Sequence, residues 1–249
     1  MLEFYAANKF GFWCGALIAV IAVCAVHYFF FGRRGTRDAQ GETGILITRF
    51  TIREQIFHWL RIILFLFLLG TGIKLLLQIG ETELGPHHGF TGVAFVILVI
   101  INLVSWAGDM LPRRYDLSWF INMGGYLSRY DKHLPAGRFN AGQKVYFWLM
   151  FIAVMVLMTT AIMMEQEPHH TIAGRQSLVW IIHGLTGCLA AVMVIGHAYL
   201  SILVNPESAR VLLDGKIRRD YIMKHHGLWL DPALGQERSK PDDLCPSQK

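Results

Sequence analysis

Ser177–Val204, SLVWIIHGLTGCLAAVMVIGHAYLSILV, runs for twenty-eight residues without a Lys, Arg, Asp or Glu. About 20 apolar residues in a helix cross a hydrocarbon core about 30 Å thick, so the stretch reads as a transmembrane helix. It carries two histidines, His183 and His197, fourteen residues apart. Fourteen residues is just under four helical turns. Both imidazoles therefore project from nearly the same face, about 21 Å apart along the axis. Ionisable side chains inside a span are costly and by default mark a functional site. Two histidines near the two ends of one helix face point to two cofactors stacked across a membrane. A single intramembrane histidine would read instead as a hydrogen-bonded structural or proton-relay residue.

Four more apolar runs of spanning length precede this one: Phe10–Phe31, Gln55–Leu77, His87–Trp106 and Val145–Met164. Of the 249 residues, 53% are hydrophobic and 16% charged, a balance that excludes an ordinary soluble domain. The reading is an all-α integral membrane bundle of five transmembrane helices. Phe10–Phe31 has only Lys9 before it and Arg33, Arg34 and Arg37 immediately after. That charge distribution fits a retained span better than a signal peptide. Thr51-x-x-Glu54 has capping-box spacing and sets the start of the second span. The four cysteines form no C-x-x-C, which argues against an iron–sulfur cluster, a zinc ribbon or covalent c-type haem in this chain. Cys14, Cys24 and Cys188 read as packing residues. The fourth span has no histidine, and its five methionines (Met150, Met155, Met158, Met163, Met164) read as packing rather than axial ligands.

The net charge of +5 would suggest nucleic acid if it lay on a soluble face. Here it is a topology signal. The Arg33–Glu54 linker, the Gly108–Lys144 connection and the tail through Lys224 are basic, whereas the Gly80–Pro86 and Glu165–Arg175 loops are not. Basic loops stay cytoplasmic, so the N-terminus is expected to be periplasmic and the C-terminus cytoplasmic. No nucleic-acid partner is expected; membrane lipids are. The tail is expected to lose order after about Pro232.

With that orientation the histidines can be matched by depth. His58 and His197 lie near the cytoplasmic ends of their spans, and His88 and His183 near the periplasmic ends. Two imidazoles from facing helices with iron between them make a bis-histidine b-type haem site in a bundle core. The pairs are His58 with His197 and His88 with His183. A haem-free transporter would call for carboxylates in mid-membrane, and the spans have none. A structural anchor is the other alternative. His27 reads as an interfacial residue. Arg61, three residues after His58 on the same face, either snorkels to the surface or meets a haem propionate or quinone oxygen. Lys74 reads as snorkelling. Asn140-Ala-Gly-Gln143 reads by itself as a helix cap before the fourth span.

Six segments carry a resemblance to a known family: RFTIREQIFHWL (Arg49–Leu60), HGFTG (His88–Gly92), GRFNAGQKVYFW (Gly137–Trp148), IIHGLTG (Ile181–Gly187), HAYLSILV (His197–Val204) and GKIRRDYIMKHHGLWL (Gly215–Leu230). Over Arg49–Leu230 the chain resembles the cytochrome b (gamma) subunit of membrane-bound respiratory formate dehydrogenases. The histidine pattern alone is shared with the cytochrome b subunits of nickel–iron hydrogenases and thiosulfate reductases. The resemblance implies two haem b groups, the periplasmic one on His88 and His183 and the cytoplasmic one on His58 and His197. It implies a site for menaquinone (or ubiquinone) near the cytoplasmic face, with Asn140, Gly142 and Gln143 around it together with His197; Arg61 is a further candidate. It implies partners: a periplasmic Mo- or W-dependent alpha subunit that oxidises formate, and an iron–sulfur beta subunit that passes electrons on. A higher oligomer of that complex is compatible with it. The location implied is the bacterial inner membrane. The family's better-known pattern has four spans, so Phe10–Phe31 is extra, and Arg61 stands where an uncharged residue is expected. The expected division is 1–48 as an extra helix and linker, 49–230 as a di-haem domain, and 231–249 as a flexible tail.

Overall fold

A computed structural model of the chain describes residues 2–32, 45–77, 84–128, 134–166 and 173–230. The Arg33, Arg34 and Arg37 cluster, Glu81 and Glu83, His169 and His170, and the tail beyond Pro232 lie outside the described residues.

Among the described residues, five helices are long and apolar enough to cross a membrane. They are α1 (Leu2–Phe30), α2 (Ile52–Leu77), α3 (Leu84–Met110), and two later helices, α5 (Ala141–Gln166) and α6 (Ala173–Tyr199). The chain is an all-α integral membrane protein, and each span coincides with one of the apolar runs. Each helix begins a few residues before its run, because polar flanks can stay helical outside the hydrocarbon. Helix α2 begins one residue after Thr51. Pro86 sits within the first turn of α3, where its missing N–H breaks no intrahelical bond. Short elements among the described residues include α4 (Asp116–Ile121), a 3-10 turn at Met123–Gly125, α7 (Pro206–Asp214), α8 (Arg219–His225), α9 (Gly227–Leu230), and strands β1 (Leu46–Thr48) and β2 (Lys216–Arg218).

The described residues divide between two compact units. The first draws on Met1–Val26, Ile52–Ser105 and Trp148–Tyr199. Here large apolar side chains such as Ile63, Leu66, Phe90 and Val104 point outward. That is the exterior a lipid solvent requires, since a hydrophobic effect has no surface to bury there. Several of the most buried positions are instead small: Ala153, Cys188, Ala190 and Ala191. Small side chains let helices approach closely and gain van der Waals contact. Trp13 of α1 is buried, and a Cβ added at Gly187 of α6 would meet its ring at 3.7 Å. The additional N-terminal helix is thus keyed onto α6.

The second unit draws on His27–Thr51, Trp106–Phe147 and Leu200–Lys249. Its core is Val211, Ile217, Tyr221 and Ile222, with Ile47, Phe50, Trp229 and Leu230 packed against it. Strands β1 and β2 pair antiparallel, with Ile47 opposite Ile217. The sequence reading placed only linker and tail here. Three-residue strands carry too little alternation to be read, and this ribbon forms because Ile47 and Ile217 share a core with α7 and α8. Gly215 makes the turn possible. It adopts φ +73 after α7, donates its N–H to Val211, and its carbonyl accepts the N–H groups of Arg49 and Phe50. Directly after Tyr199 the chain makes a π-helical turn, Leu200–Val204, closed by the Asn205 N–H on the Leu200 carbonyl at 2.8 Å. Pro206 follows and has no N–H to continue the ladder.

Candidate metal centre

The four histidines selected by depth all lie half-buried on spans: His58 on α2, His88 on α3, and His183 and His197 on α6. The ring centroids of His58 and His197 are 6.5 Å apart, with planes inclined at 35°. Those of His88 and His183 are 6.3 Å apart, inclined at 63°. The structure brings together the same two pairs that depth selects.

The separations discriminate between two chemistries. A proton shared by two imidazoles holds their nitrogens about 2.9 Å apart, which puts the ring centres about 5 Å apart. A metal ion bound by both, at about 2 Å from each nitrogen, puts the centres about 6 Å apart. Both pairs match the second spacing. Among the described residues no group of three or more His, Cys, Asp or Glu side chains could hold a metal ion. A protein-only zinc site needs three or four such ligands. Two axial imidazoles suffice for haem, whose macrocycle supplies the remaining donors.

Neighbouring residues fix the rings. Nδ1 of His88 lies 2.8 Å from the hydroxyl of Thr71, and Nδ1 of His183 lies 2.8 Å from the hydroxyl of Thr160. Both threonines are buried. A Cβ at Gly72 would stand 3.3 Å from Cε1 of His88, so the glycine gives that ring its place beside α2. Phe65 and Phe95 pack with centroids 6.2 Å apart within the same unit. Nδ1 of His58 is buried and meets no hydrogen-bond partner among the described residues. The residues present therefore fit bis-histidine haem: paired imidazoles at metal-bridging distance, carried on apolar spans, with Gly72 leaving room beside His88.

The other sequence-selected residues are placed as follows. Arg61 lies half-buried on α2, three residues after His58. Asn140, Gly142 and Gln143 lie at the start of α5, in the second unit. Asn140 and Gln143 form a reciprocal cap: the Asn140 N–H donates to Oε1 of Gln143, and the Gln143 N–H to Oδ1 of Asn140, both at 3.0 Å. The cap uses only the carbonyl oxygen of each amide, and each amide also carries an NH₂ donor. The face of Gly142 belongs to Trp119, since a Cβ there would fall 2.8 Å from Cζ2 of the indole. The same indole covers Gly124, which has φ +62.

Sequence reasoning missed two clusters of the second unit. The first joins Arg49, Arg138 and His226. Arg49 donates to the Arg138 carbonyl at 2.8 Å, and Arg138 donates to the Arg49 carbonyl at 3.1 Å. Both guanidinium groups lie over Phe50 and Phe139. Nδ1 of His226 lies 2.9 Å from the Gly137 carbonyl, and its Nε2 lies 3.4 Å from a guanidinium nitrogen of Arg49. Burial pulls the Arg49 guanidinium down to about 10, so it stays charged at neutral pH. Burial, and then the Arg49 charge, hold His226 well below the usual histidine range. The second cluster is a buried ion pair. Lys144 meets Asp116 at 2.8 Å, and the same carboxylate oxygen accepts the Arg113 N–H at 2.7 Å. A signal for the first cluster was available: Arg49, Arg138 and His226 fall in three of the six segments that carry the resemblance. Thr71 and Thr160 gave none, because a threonine in an apolar run is ordinary.

Comparison with known proteins adds family information to this geometry. The family model described as prokaryotic cytochrome b561 matches residues 49–214. The cytochrome b556(Fdn) subunit of nitrate-inducible formate dehydrogenase from Escherichia coli K12 is 26% identical over 214 residues, covering 80% of this chain and 96% of that protein. The formate dehydrogenase cytochrome b556 subunit of Haemophilus influenzae is 24% identical over 197 residues, with 74% and 82% covered. The cytochrome b556(fdo) subunit of formate dehydrogenase from Escherichia coli K12 is 24% identical over 195 residues, with 74% and 91% covered.

Proposed function

Because this chain belongs to the prokaryotic cytochrome b561 family, we propose that it is the two-haem membrane subunit of a formate dehydrogenase, carrying electrons from a periplasmic iron–sulfur subunit to a quinone. The observation that carries the reading is the pairing of four histidines at metal-bridging distance, one pair towards each end of the Leu178–Val204 span. The names of the relatives support formate as the donor's substrate over hydrogen or thiosulfate. Five apolar spans and the membrane family make this a multi-pass protein of the bacterial inner membrane.

His88 with His183, and His58 with His197, would hold the two groups. Bound there, haem b supplies a reversible one-electron carrier. The chain's own contribution is to orient the imidazoles on apolar membrane-spanning helices. Thr71 and Thr160 hold two of the four rings. The positive-inside pattern supports a cytoplasmic His58–His197 end and a periplasmic His88–His183 end.

Quinone reduction is proposed on the family resemblance and on the chemistry of the Asn140–Gln143 turn. Quinone oxygens accept hydrogen bonds, and the two amide NH₂ groups are donors that the cap does not use. Gly142 belongs to the same turn, and its lack of a side chain accommodates Trp119 there. Formate oxidation belongs to a Mo- or W-dependent partner subunit in this reading, and the complex is open to higher oligomerisation.

The test uses membranes containing the assembled complex. Formate should reduce a b-type haem signal, and a menaquinone analogue should reoxidise it. Reduction by hydrogen but not by formate would reassign the chain to a hydrogenase. A chain without a haem signal would return the reading to a transporter or an anchor.

A further inference from the structure

We infer that Thr71 and Thr160 fix the tautomer and orientation of His88 and His183, and thereby tune the redox potential of the haem this pair would hold. The inference rests on the two-haem reading and adds to it two residues that act through the ligands.

The hydrogen-bond inventory of each threonine leaves little choice. The Thr71 hydroxyl lies 2.8 Å from the Phe67 carbonyl, 3.3 Å from the Leu68 carbonyl and 2.8 Å from Nδ1 of His88. Carbonyl oxygens only accept, and a hydroxyl has one proton to give. That proton goes to the carbonyl of the preceding turn, so the hydroxyl oxygen must accept from His88, and Nδ1 is the protonated nitrogen. The neutral ring then presents its lone pair at Nε2. Thr160 repeats the arrangement on α5: its hydroxyl lies 2.8 Å from the Val156 carbonyl, 3.0 Å from the Leu157 carbonyl and 2.8 Å from Nδ1 of His183. Two independent helices thus set the same tautomer on both members of one pair. Two imidazoles that both present an unprotonated Nε2 cannot hydrogen-bond to each other through those nitrogens. They can share a cation.

A threonine bonded back to its own helix is common in membrane spans. The further contact to a facing imidazole is what goes beyond that. Ligating histidines typically donate their second N–H to an acceptor, which fixes the ring and makes the ligating nitrogen more basic. A more basic axial ligand favours the oxidised metal and lowers the potential. The relay from Nδ1–H to hydroxyl to carbonyl strengthens this, because each bond polarises the next. His58 provides a contrast in the same unit, its buried Nδ1 having no hydrogen-bond partner among the described residues.

The experiment is a redox titration of the haem absorbance in the purified complex, with ferric low-spin EPR on the same samples. Thr71→Val and Thr160→Val remove the acceptor at nearly constant volume; Thr71→Ser and Thr160→Ser keep it. In each valine variant, one of the two haem components should move to higher potential with altered g values while the other stays fixed. The serine variants should behave as wild type. Loss of one haem in a valine variant but not in its serine counterpart would express the same positioning role. Valine variants with both components at wild-type potential and unchanged EPR would overturn the inference. So would serine variants that shift as the valine ones do, since the hydroxyl would then be irrelevant. Failure of the underlying reading looks different: the wild-type complex would contain fewer than two b haems before any threonine is changed.

Discussion

His88 on α3 and His183 on α6 face each other with ring centroids 6.3 Å apart, too far for a shared proton and suited to a shared metal. His58 and His197 repeat the relation at 6.5 Å, with His197 fourteen residues after His183 on the same helix.

Replacing one histidine should remove one cofactor and leave the fold. His183→Leu is expected to drop the haem content of the purified chain from two per polypeptide to one. Quinone reduction should collapse while association with partner subunits survives. Quinone reduction at the wild-type rate would exclude His183 as a ligand.

Asn140→Asp separates capping from quinone binding. Aspartate keeps an acceptor oxygen for the Gln143 N–H, so the cap survives; losing it altogether would cost about 0.5–2 kcal/mol. The NH₂ donor disappears. The thermal midpoint should therefore hold while KM for the quinone rises severalfold. An unchanged KM would restrict Asn140 to the capping role.

Gly142→Ala puts a methyl group into the Trp119 indole. Overpacking of this kind costs about 1–3 kcal/mol, more than the helix propensity that alanine gains. The expected result is a lower thermal midpoint. Trp119→Leu in the same chain should recover part of it, whereas independent, additive losses would show that the two residues do not interfere.

Asp116→Asn strands the buried Lys144 charge, and breaking a buried pair typically costs about 3–5 kcal/mol. Replacing both residues by apolar ones should be the milder change. Denaturation of the wild type and the two variants in detergent measures the order; a double variant less stable than Asp116→Asn would contradict it.

Acid should loosen the second unit through His226. Its folded-state pKa is depressed below the ordinary histidine value of about 6.5, so the unfolded segment binds a proton where the folded one does not. Stability is then fully present above about pH 6.5 and lost as pH falls below it. Burial, then Arg49, and more weakly His225, disfavour the charged ring, and the Gly137 carbonyl opposes them only in part. Hydrogen exchange over residues 215–230 should accelerate between pH 7 and 5 after correction for intrinsic rates. His226→Gln should flatten that dependence.

The sequence makes the spans and the histidine pairs legible for one reason: both are written in helical periodicity. An apolar run fixes each helix, and the spacing of His183 and His197 along one face needs no tertiary knowledge. The partners of those histidines are legible once loop charge gives each residue a depth. What depends on contact between distant segments is not. Thr71 meets His88 across 17 residues, and Thr160 meets His183 across 23. Arg49 meets His226 across 177. The β1–β2 ribbon and the Trp119–Gly142 contact belong to the same class, since neither leaves a local pattern. The Asn140–Gln143 cap lies between these extremes: its spacing is local, but its second amide group acquires meaning only beside a candidate ligand.

The most direct test is a reduced-minus-oxidised difference spectrum of the purified wild-type chain, with haem quantified per polypeptide. Two b-type haems per chain are predicted, one for each histidine pair. A folded chain without haem would contradict the account.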